Sequence, residues 1–176
     1  GLSIDKAVAE CLLTAILTDT IGFRTISVNP DSLRIAASLM EKGADLHTLY
    51  YQSLLGRTAS ELRYWGQGLQ DLQLVDGLLW ASLSLADRQK AGYFEDDDAE
   101  LINELANTNG ALISLIFVEQ RGGSTKVSWR SKEGIDVSKI AYSFGGGGHM
   151  AASGADIKGS MEEVRARVLE RTREVL

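Results

Sequence analysis

The feature that most restricts the fold of this chain is a run of four glycines followed by a histidine, Gly145-Gly146-Gly147-Gly148-His149. Glycine gives little packing and raises the entropic cost of ordering the backbone, so a folded protein keeps such a run only for a reason. Apolar residues bracket the run, Ile140-Ala141-Tyr142 before it and Met150-Ala151-Ala152 after it. These flanks argue against the alternative of a flexible surface loop and place the run inside a domain.

The glycine run has the chemistry of a phosphate-binding loop. Backbone N–H groups that no Cβ obstructs can turn together toward an anion. His149 can donate to a phosphoryl oxygen or protonate a leaving group near neutral pH. The chain contains no Gly-Lys-Ser/Thr motif, and the run lacks the third glycine of a dinucleotide fingerprint. We therefore predict that Gly145, Gly146, Gly147 and Gly148 bind substrate and that His149 binds substrate and acts in catalysis.

A basic segment precedes the glycine run. Residues 121–132 contain four cations and no acidic residue. Arg130 can bind a phosphate through two hydrogen bonds, and the hydroxyl group of Ser131 can add a third. An exposed hairpin whose basic edge discourages aggregation is an equally good interpretation of the segment alone.

The first third of the chain is predicted to be helical. Ser3 can cap a first helix, and Asn29-Pro30, Asp45 and the capping box Thr58-Ala59-Ser60-Glu61 each begin another. The single cysteine, Cys11, is expected to lie on the apolar side of the first helix and to pack in the protein core. The apolar positions that recur at three- and four-residue spacing, and that should form its buried face, are Ile4, Ala7, Val8, Cys11, Leu12, Ala15 and Ile16.

Strands dominate after the fourth helix. Residues 72–75 and 78–85 flank Asp76-Gly77, a turn pair that tolerates positive φ and predicts a hairpin. Asp96-Asp97-Asp98 suits the N-terminus of a helix, and a metal site is the alternative. Further strands are predicted over 111–118 and 125–129, with a turn at 122–124, and further helices over 137–144 and about 160–175.

Composition narrows the class of protein. Hydrophobic residues make up 44% of the 176 residues, and the net charge of −6 disfavours binding of long duplex DNA by the whole surface. No apolar run approaches the roughly 20 residues that cross a bilayer. One cysteine excludes an intrachain disulfide and, with no visible export signal, predicts a cytoplasmic location.

Three motifs in order resemble the DHH-associated domain of the DHH phosphoesterases. They are Trp129-Arg130-Ser131-Lys132, then Ile135-Asp136-Val137-Ser138-Lys139-Ile140-Ala141, then Phe144-Gly145-Gly146-Gly147-Gly148-His149. Thr18-Asp19-Thr20 with Phe23-Arg24 is similar to the last motif of that family's catalytic domain. The superfamily includes RecJ-like exonucleases, oligoribonuclease/pAp phosphatases and cyclic dinucleotide phosphodiesterases, and the resemblance covers essentially the whole chain.

The resemblance implies an α/β (α+β) fold in three parts. Residues 1–57 would be the helical C-terminal part of a DHH catalytic domain, residues 58–73 a linker helix, and residues 74–176 a mixed-sheet DHH-associated domain with flanking helices. It also implies that Asp19 binds manganese, while Arg130, Ser131 and the glycine run with His149 hold the substrate phosphate. Ile21 and Ser153 depart from the glycine and alanine that many relatives carry there.

The resemblance further implies a two-manganese centre, and this chain lacks the Asp-His-His motif that names the family. We therefore expect a fragment of a manganese-dependent phosphoesterase that hydrolyses short single-stranded oligonucleotides or nucleotides such as pAp. The fragment alone is expected to bind nucleotide without catalysis. The alternatives are a non-catalytic nucleotide-binding module and a cyclic dinucleotide phosphodiesterase. Apolar surface on the helical third would favour a homodimer.

Overall fold

The chain divides into two compact units. The computed structural model describes residues 3–176. One unit ends at Arg57, and the other spans Thr58–Leu176. Among the described residues, no helix is long and apolar enough to cross a membrane.

The first unit is entirely helical. Its helices are α1 (Lys6–Asp19), α2 (Pro30–Glu41) and α3 (Leu46–Tyr50), and a π-helical turn, Tyr51–Leu55, continues α3. The predicted starts of α2 and α3 are confirmed, because side-chain oxygens of Asn29 and Asp45 accept hydrogen bonds from backbone N–H groups of the first turns. The buried core of this unit consists of Ala9, Leu13, Leu17, Ala36, Leu39 and Ala44.

The predicted buried face of α1 is wrong. Asp5, and not Ser3, caps the helix, and Cys11 is exposed. The buried residues Ala9, Leu13 and Leu17 recur every four residues on the side opposite the one predicted. The helix is apolar nearly all round, so spacing alone could not decide which stripe contacts α2 and α3.

The second unit is a six-stranded mixed sheet with helices on both faces, as the sequence predicted. The strand order is β1-β2-β3-β4-β6-β5, in which only β2 and β3 are parallel neighbours. In chain order the elements are α4 (Ala59–Gln70), β1 (Gln73–Val75), β2 (Leu78–Leu83), α5 (Leu85–Ala91), α6 (Leu101–Leu105), β3 (Ile113–Gln120), β4 (Ser124–Ser131), α7 (Ser138–Ser143), β5 (Gly147–His149), β6 (Ala152–Lys158) and α8 (Met161–Arg173).

Residues that adopt positive φ form the turns of the two long hairpins. Asp76 and Gly77 join β1 to β2 with φ of 50° and 81°. Gly122 and Gly123 join β3 to β4 with φ of 100° and 81°. Glycine adopts this left-handed region without the steric cost that other residues meet, and aspartate tolerates it. Both predicted hairpins are confirmed.

Helix α5 was missed from the sequence. The predicted second strand extended to Leu85, but β2 ends at Leu83 and Ser84 caps α5. The hydroxyl group of Ser84 accepts from the backbone N–H of Asp87, whose carboxylate accepts from the backbone N–H of Ser84 in return. The apolar residues on both sides of this capping box concealed it within an apparently continuous strand pattern.

The two faces of the sheet differ in how far helices cover them. On one face, α7 and α8 cover the sheet with a core that includes Trp129 and Val127. On the other face, α4, α5 and α6 pack over β2 and β3 around Tyr64 and Ile116. Along β4 and β6, the residues of the first face are buried, except Ser131 at the end of β4, which is half-buried, and every residue of the second face is half-buried or exposed. We call this side of β4, β6 and β5, which α6 covers only in part beside β4, the open face.

Candidate phosphate-binding site

Arg130 and His149 lie in one row across the open face. Arg130 of β4 pairs with Ala152 of β6, and Ala152 pairs with His149 of β5. Paired residues of antiparallel strands project to the same face, and two strand spacings separate the outer positions by about 10 Å. Two predicted site residues that are distant in sequence are thus brought to the same side of the sheet.

The guanidinium group of Arg130 is half-buried beside its own strand. Its Nη1 donates to the carbonyl oxygen of Trp129 at 3.0 Å. Burial lowers the pKa of Arg130, and the carboxylate of Asp98 opposes that shift. The group still carries its charge, because arginine is not deprotonated in proteins near neutral pH. No ion pair of Arg130 is found among the described residues, so its other N–H groups can take an anionic ligand.

Ser131 projects to the other side of the strand from Arg130, because successive residues of a strand alternate. Its hydroxyl group donates to the carbonyl oxygen of Ile135 at 2.7 Å. This contact ties the end of β4 to the loop that leads into α7. The predicted phosphate contact of Ser131 would require its hydrogen atom to leave that carbonyl.

The glycine run forms a turn followed by an edge strand, whereas the sequence predicted a phosphate-binding loop. The backbone N–H groups of Gly145 and Gly146 donate to the carbonyl oxygens of Tyr142 and Ala141 at 3.0 and 2.9 Å. These two amides therefore do not turn toward an anion. Gly147–His149 forms β5, which pairs only with β6 at the edge of the sheet. An edge strand leaves a row of N–H and C=O groups unpaired on its outer side.

Close backbone contact explains two of the glycines. A Cβ atom on Gly146 would lie 2.1 Å from the carbonyl oxygen of Gly154, and one on Gly148 would lie 2.6 Å from that of Ala152. Gly148 also has φ of 137°, a conformation that side chains disfavour. These glycines allow β5 to lie against β6, which places His149 in its row.

Two hydrogen bonds hold the β5–β6 turn against the start of α7. The backbone N–H of Val137 donates to the carbonyl oxygen of Met150 at 2.9 Å. The buried hydroxyl group of Ser153 donates to the carbonyl oxygen of Val137, also at 2.9 Å. Asp136 accepts from the hydroxyl and backbone N–H of Ser138, which lowers the pKa of Asp136. The second family-like motif thus holds the turn that follows His149.

Asp19 is exposed at the last turn of α1, in the first unit. Among residues 3–176, no group of three or more His, Cys, Asp or Glu side chains is placed to hold a metal ion. The donor set of this chain therefore does not by itself fit a two-manganese centre. The aspartates at 96–98 have other contacts: Asp96 pairs with Arg88, Asp97 accepts from Tyr93, and Asp98 accepts from the N–H of Ile102.

Strand β6 contributes to the site and was missed from the sequence. Ala152 connects Arg130 to His149, and Gly154 continues the same face. Its alternation was visible, since Ser153, Ala155 and Ile157 are the buried positions. Small residues obscured the pattern, because alanine, serine and glycine give a weak period-two signal.

Comparison with known proteins identifies the second unit. The DHHA1 domain matches residues 81–176. The chain is 36% identical over 177 aligned residues to "Bifunctional oligoribonuclease and PAP phosphatase NrnA" of Thermus thermophilus, covering all of this chain and 53% of that protein. It is 28% identical over 155 residues to the protein of the same name from Mycoplasma genitalium, covering 88% of this chain and 48% of that protein.

One solved structure has a fold similar to that of this chain. An exopolyphosphatase-related protein from Bacteroides fragilis matches with a TM-score of 0.89 and 30% identity, over 97% of this chain and 51% of that one. The chain spans about half the length of the curated relatives it matches. The chain belongs to the DHH superfamily, and it contains the DHHA1 domain of that superfamily at residues 81–176.

Proposed function

We propose that this chain is the nucleotide-binding part of a phosphoesterase that hydrolyses short single-stranded oligonucleotides or nucleotides such as pAp. The observation that carries the proposal is the row of Arg130 and His149 on the open face. The names of the Thermus and Mycoplasma relatives support the substrate class.

Arg130 would hold the substrate through its charge. Its planar fork can give two parallel hydrogen bonds to phosphoryl oxygens, and partial burial strengthens such a contact by excluding water. The carboxylate of Asp98 opposes the lowering of the Arg130 pKa that burial causes, and the guanidinium group is charged near neutral pH in either case.

His149 would act at the other end of the row. It is exposed, and no hydrogen bond to another described residue is found for its ring. An imidazole can donate to a phosphoryl oxygen or give a proton to a leaving oxygen. The outward N–H groups of the edge strand β5 would add donors beside it, while Gly145 and Gly146 would only shape the turn.

Ser131 and Asp19 have different places in the proposal. The hydroxyl group of Ser131 projects away from the open face and would fix the strand end that carries Arg130 through its hydrogen bond to the carbonyl oxygen of Ile135. Asp19 would be one manganese ligand. The other ligands of a two-metal centre would come from outside the described residues, and such a centre would activate water and stabilise the leaving oxygen.

A short RNA assay tests this function. We would measure manganese-dependent release of mononucleotides from a short single-stranded RNA, and of phosphate from pAp. The assay would use the 176-residue chain and a protein of the relatives' full length that contains it. We expect turnover only from the longer protein, because residues 3–176 do not form a metal site.

Two outcomes would contradict the proposal. Turnover by the 176-residue chain alone would show that its own residues complete a catalytic centre. Absence of turnover by the longer protein on RNA, on pAp and on a cyclic dinucleotide would refute a phosphoesterase function. Turnover of the cyclic dinucleotide alone would replace the proposed substrate class with the alternative one.

A further inference from the structure

We propose that the open face carries a basic track that extends from Arg130 along β4 and β6 and binds the nucleotides beyond the first phosphate of a single-stranded oligonucleotide. The track consists of Arg130, Ser128, Lys126 and Lys158. The inference rests on the proposed function, since it begins at the phosphate that Arg130 would hold.

Strand register places the track on one face. Ser128 pairs with Gly154, Lys126 with Asp156, and Ser124 with Lys158. Each of these pairs has the same parity as the pair of Arg130 with Ala152, so their side chains project to the open face. The intervening residues Thr125, Val127 and Trp129 are fully buried on the other face.

Charge is segregated on this face. The chain as a whole carries −6, but the track has three cations, namely Arg130, Lys126 and Lys158, against two carboxylates, Asp156 on β6 and Asp98 beside Arg130. Lys126, Lys158 and Asp156 are all exposed, and no ion pair joins them in the described part of the chain. A local basic surface on an acidic protein favours a short anionic strand over long duplex nucleic acid.

Spacing fits an extended strand. Positions that alternate along β4 are about 6.7 Å apart, so Arg130, Ser128 and Lys126 offer regularly spaced polar groups over about 13 Å. This repeat is comparable with the separation of neighbouring phosphates on an extended single strand. Between them the floor is flat, because Gly154 and Gly147 pair in the same row as Ser128 and carry no side chain. Bases or sugars can approach the backbone closely there.

The track predicts preference for longer oligonucleotides. A dinucleotide would reach Arg130 and His149, whereas a pentanucleotide would also reach Lys126 and Lys158. Each phosphate contact on a single strand contributes a slope of about −0.7 to the dependence of log K on log salt, which corresponds to about fivefold in affinity near 0.1 M salt.

Binding of two single-stranded RNAs tests the track. We would measure the affinities of a 5′-phosphorylated dinucleotide and pentanucleotide for the wild-type chain, Lys126→Gln, Lys158→Gln and the control Arg173→Gln. Arg173 is exposed on α8, which covers the opposite face of the sheet, so this variant changes the same charge away from the track. Thermal unfolding would show that each variant folds.

We expect the pentanucleotide to bind more tightly than the dinucleotide to the wild-type protein and to Arg173→Gln. Each track variant should reduce that ratio about fivefold near 0.1 M salt and lower the salt slope for the pentanucleotide by about 0.7. Equal affinities of the two RNAs, or a ratio that the lysine variants leave unchanged, would overturn the track. The proposed function would still stand in that case if the dinucleotide binds in a way that depends on Arg130. Failure of both RNAs to bind would overturn the track and the proposed function together.

Discussion

Two buried threonines of the second unit differ in what their hydroxyl groups contact. Thr125 is fully buried in β4, and its Oγ1 has no hydrogen-bond partner. Thr172 is fully buried in α8, where its Oγ1 accepts from Nε1 of Trp129 and donates to the carbonyl oxygen of Val168. An unsatisfied buried hydroxyl group costs free energy, while a satisfied one stabilises the fold.

We predict opposite effects of the same substitution at these two positions. Thr125→Val should raise the free energy of unfolding by about 1 kcal/mol, because valine keeps the shape and removes the unpaired hydroxyl group. Thr172→Val should lower it by about 1–3 kcal/mol, because it leaves the indole N–H of Trp129 without an acceptor. Urea unfolding followed by circular dichroism checks both, and a loss of stability in Thr125→Val would contradict the assignment.

The turn after α1 has a left-handed backbone that the sequence indicates only in part. The resemblance to the DHH phosphoesterases implies a glycine at the position of Ile21. In the structure Ile21, Gly22 and Phe23 all have positive φ, of 47°, 67° and 66°. The hydroxyl group of Thr20 holds this turn, since it accepts from the N–H of Phe23. The left-handed conformation at Ile21 could be suspected from the relatives' glycine, but its neighbour Phe23 gave no such signal.

At the scale of elements, the edge hairpin of β5 and β6 depends on the absence of side chains. Gly146 has the tightest surroundings in this hairpin, because a Cβ atom added to it would lie 2.1 Å from the carbonyl oxygen of Gly154 and 2.7 Å from Cα of Ala155. A Cβ atom there would meet backbone atoms, which cannot rotate away as a flexible side chain would. Gly66, in the interior of α4, has nothing within 4 Å of its added Cβ.

These two glycines make a matched pair for substitution by alanine. We predict that Gly146→Ala lowers the free energy of unfolding by about 1–3 kcal/mol and loosens β5, because overpacking forces the strands apart. Gly66→Ala should raise it by about 0.5–1 kcal/mol, because alanine is the better helix former. Chemical denaturation gives both values, and hydrogen exchange at His149 reports on β5. A neutral Gly146→Ala variant would contradict the packing role of the run.

Element type was easier to predict than element orientation. Caps and turn pairs are local, so the starts of α2, α3 and α4 and both long hairpins followed from a few residues. The buried face of α1 depends on α2 and α3, and local spacing could not determine it because both sides of the helix are apolar. The glycine run is similar: its composition indicated a special backbone, but pairing with β6 makes it a strand.

At the scale of the whole molecule, the site depends on strand order. The resemblance of three motifs identified the family and the mixed α/β fold, and the family match at residues 81–176 confirms both. It also named Arg130 and His149 but could not place them relative to each other. Their common row exists because β6, which follows β5 in sequence, lies between β5 and β4. Such a long-range order is set by packing of the entire sheet.

A phosphoesterase requires both residues that bind the substrate and a metal centre that hydrolyses it. The second unit provides the row of Arg130 and His149, for which we propose phosphate binding, and an open face. The described residues provide no cluster of metal ligands. Binding and hydrolysis can therefore be tested apart, and binding to the 176-residue chain isolates the contribution of these residues.

Calorimetric titration of the chain with pAp is the most direct test of the proposed site. We expect measurable binding by the wild-type protein, and we expect Arg130→Ala and His149→Ala each to weaken it by about 1.5–3 kcal/mol, the range for a hydrogen bond to a charged group. Arg173→Ala, which removes a cation on the opposite side of the sheet, should bind like the wild type. Unchanged affinity in both the Arg130 and His149 variants would contradict a phosphate site on the open face.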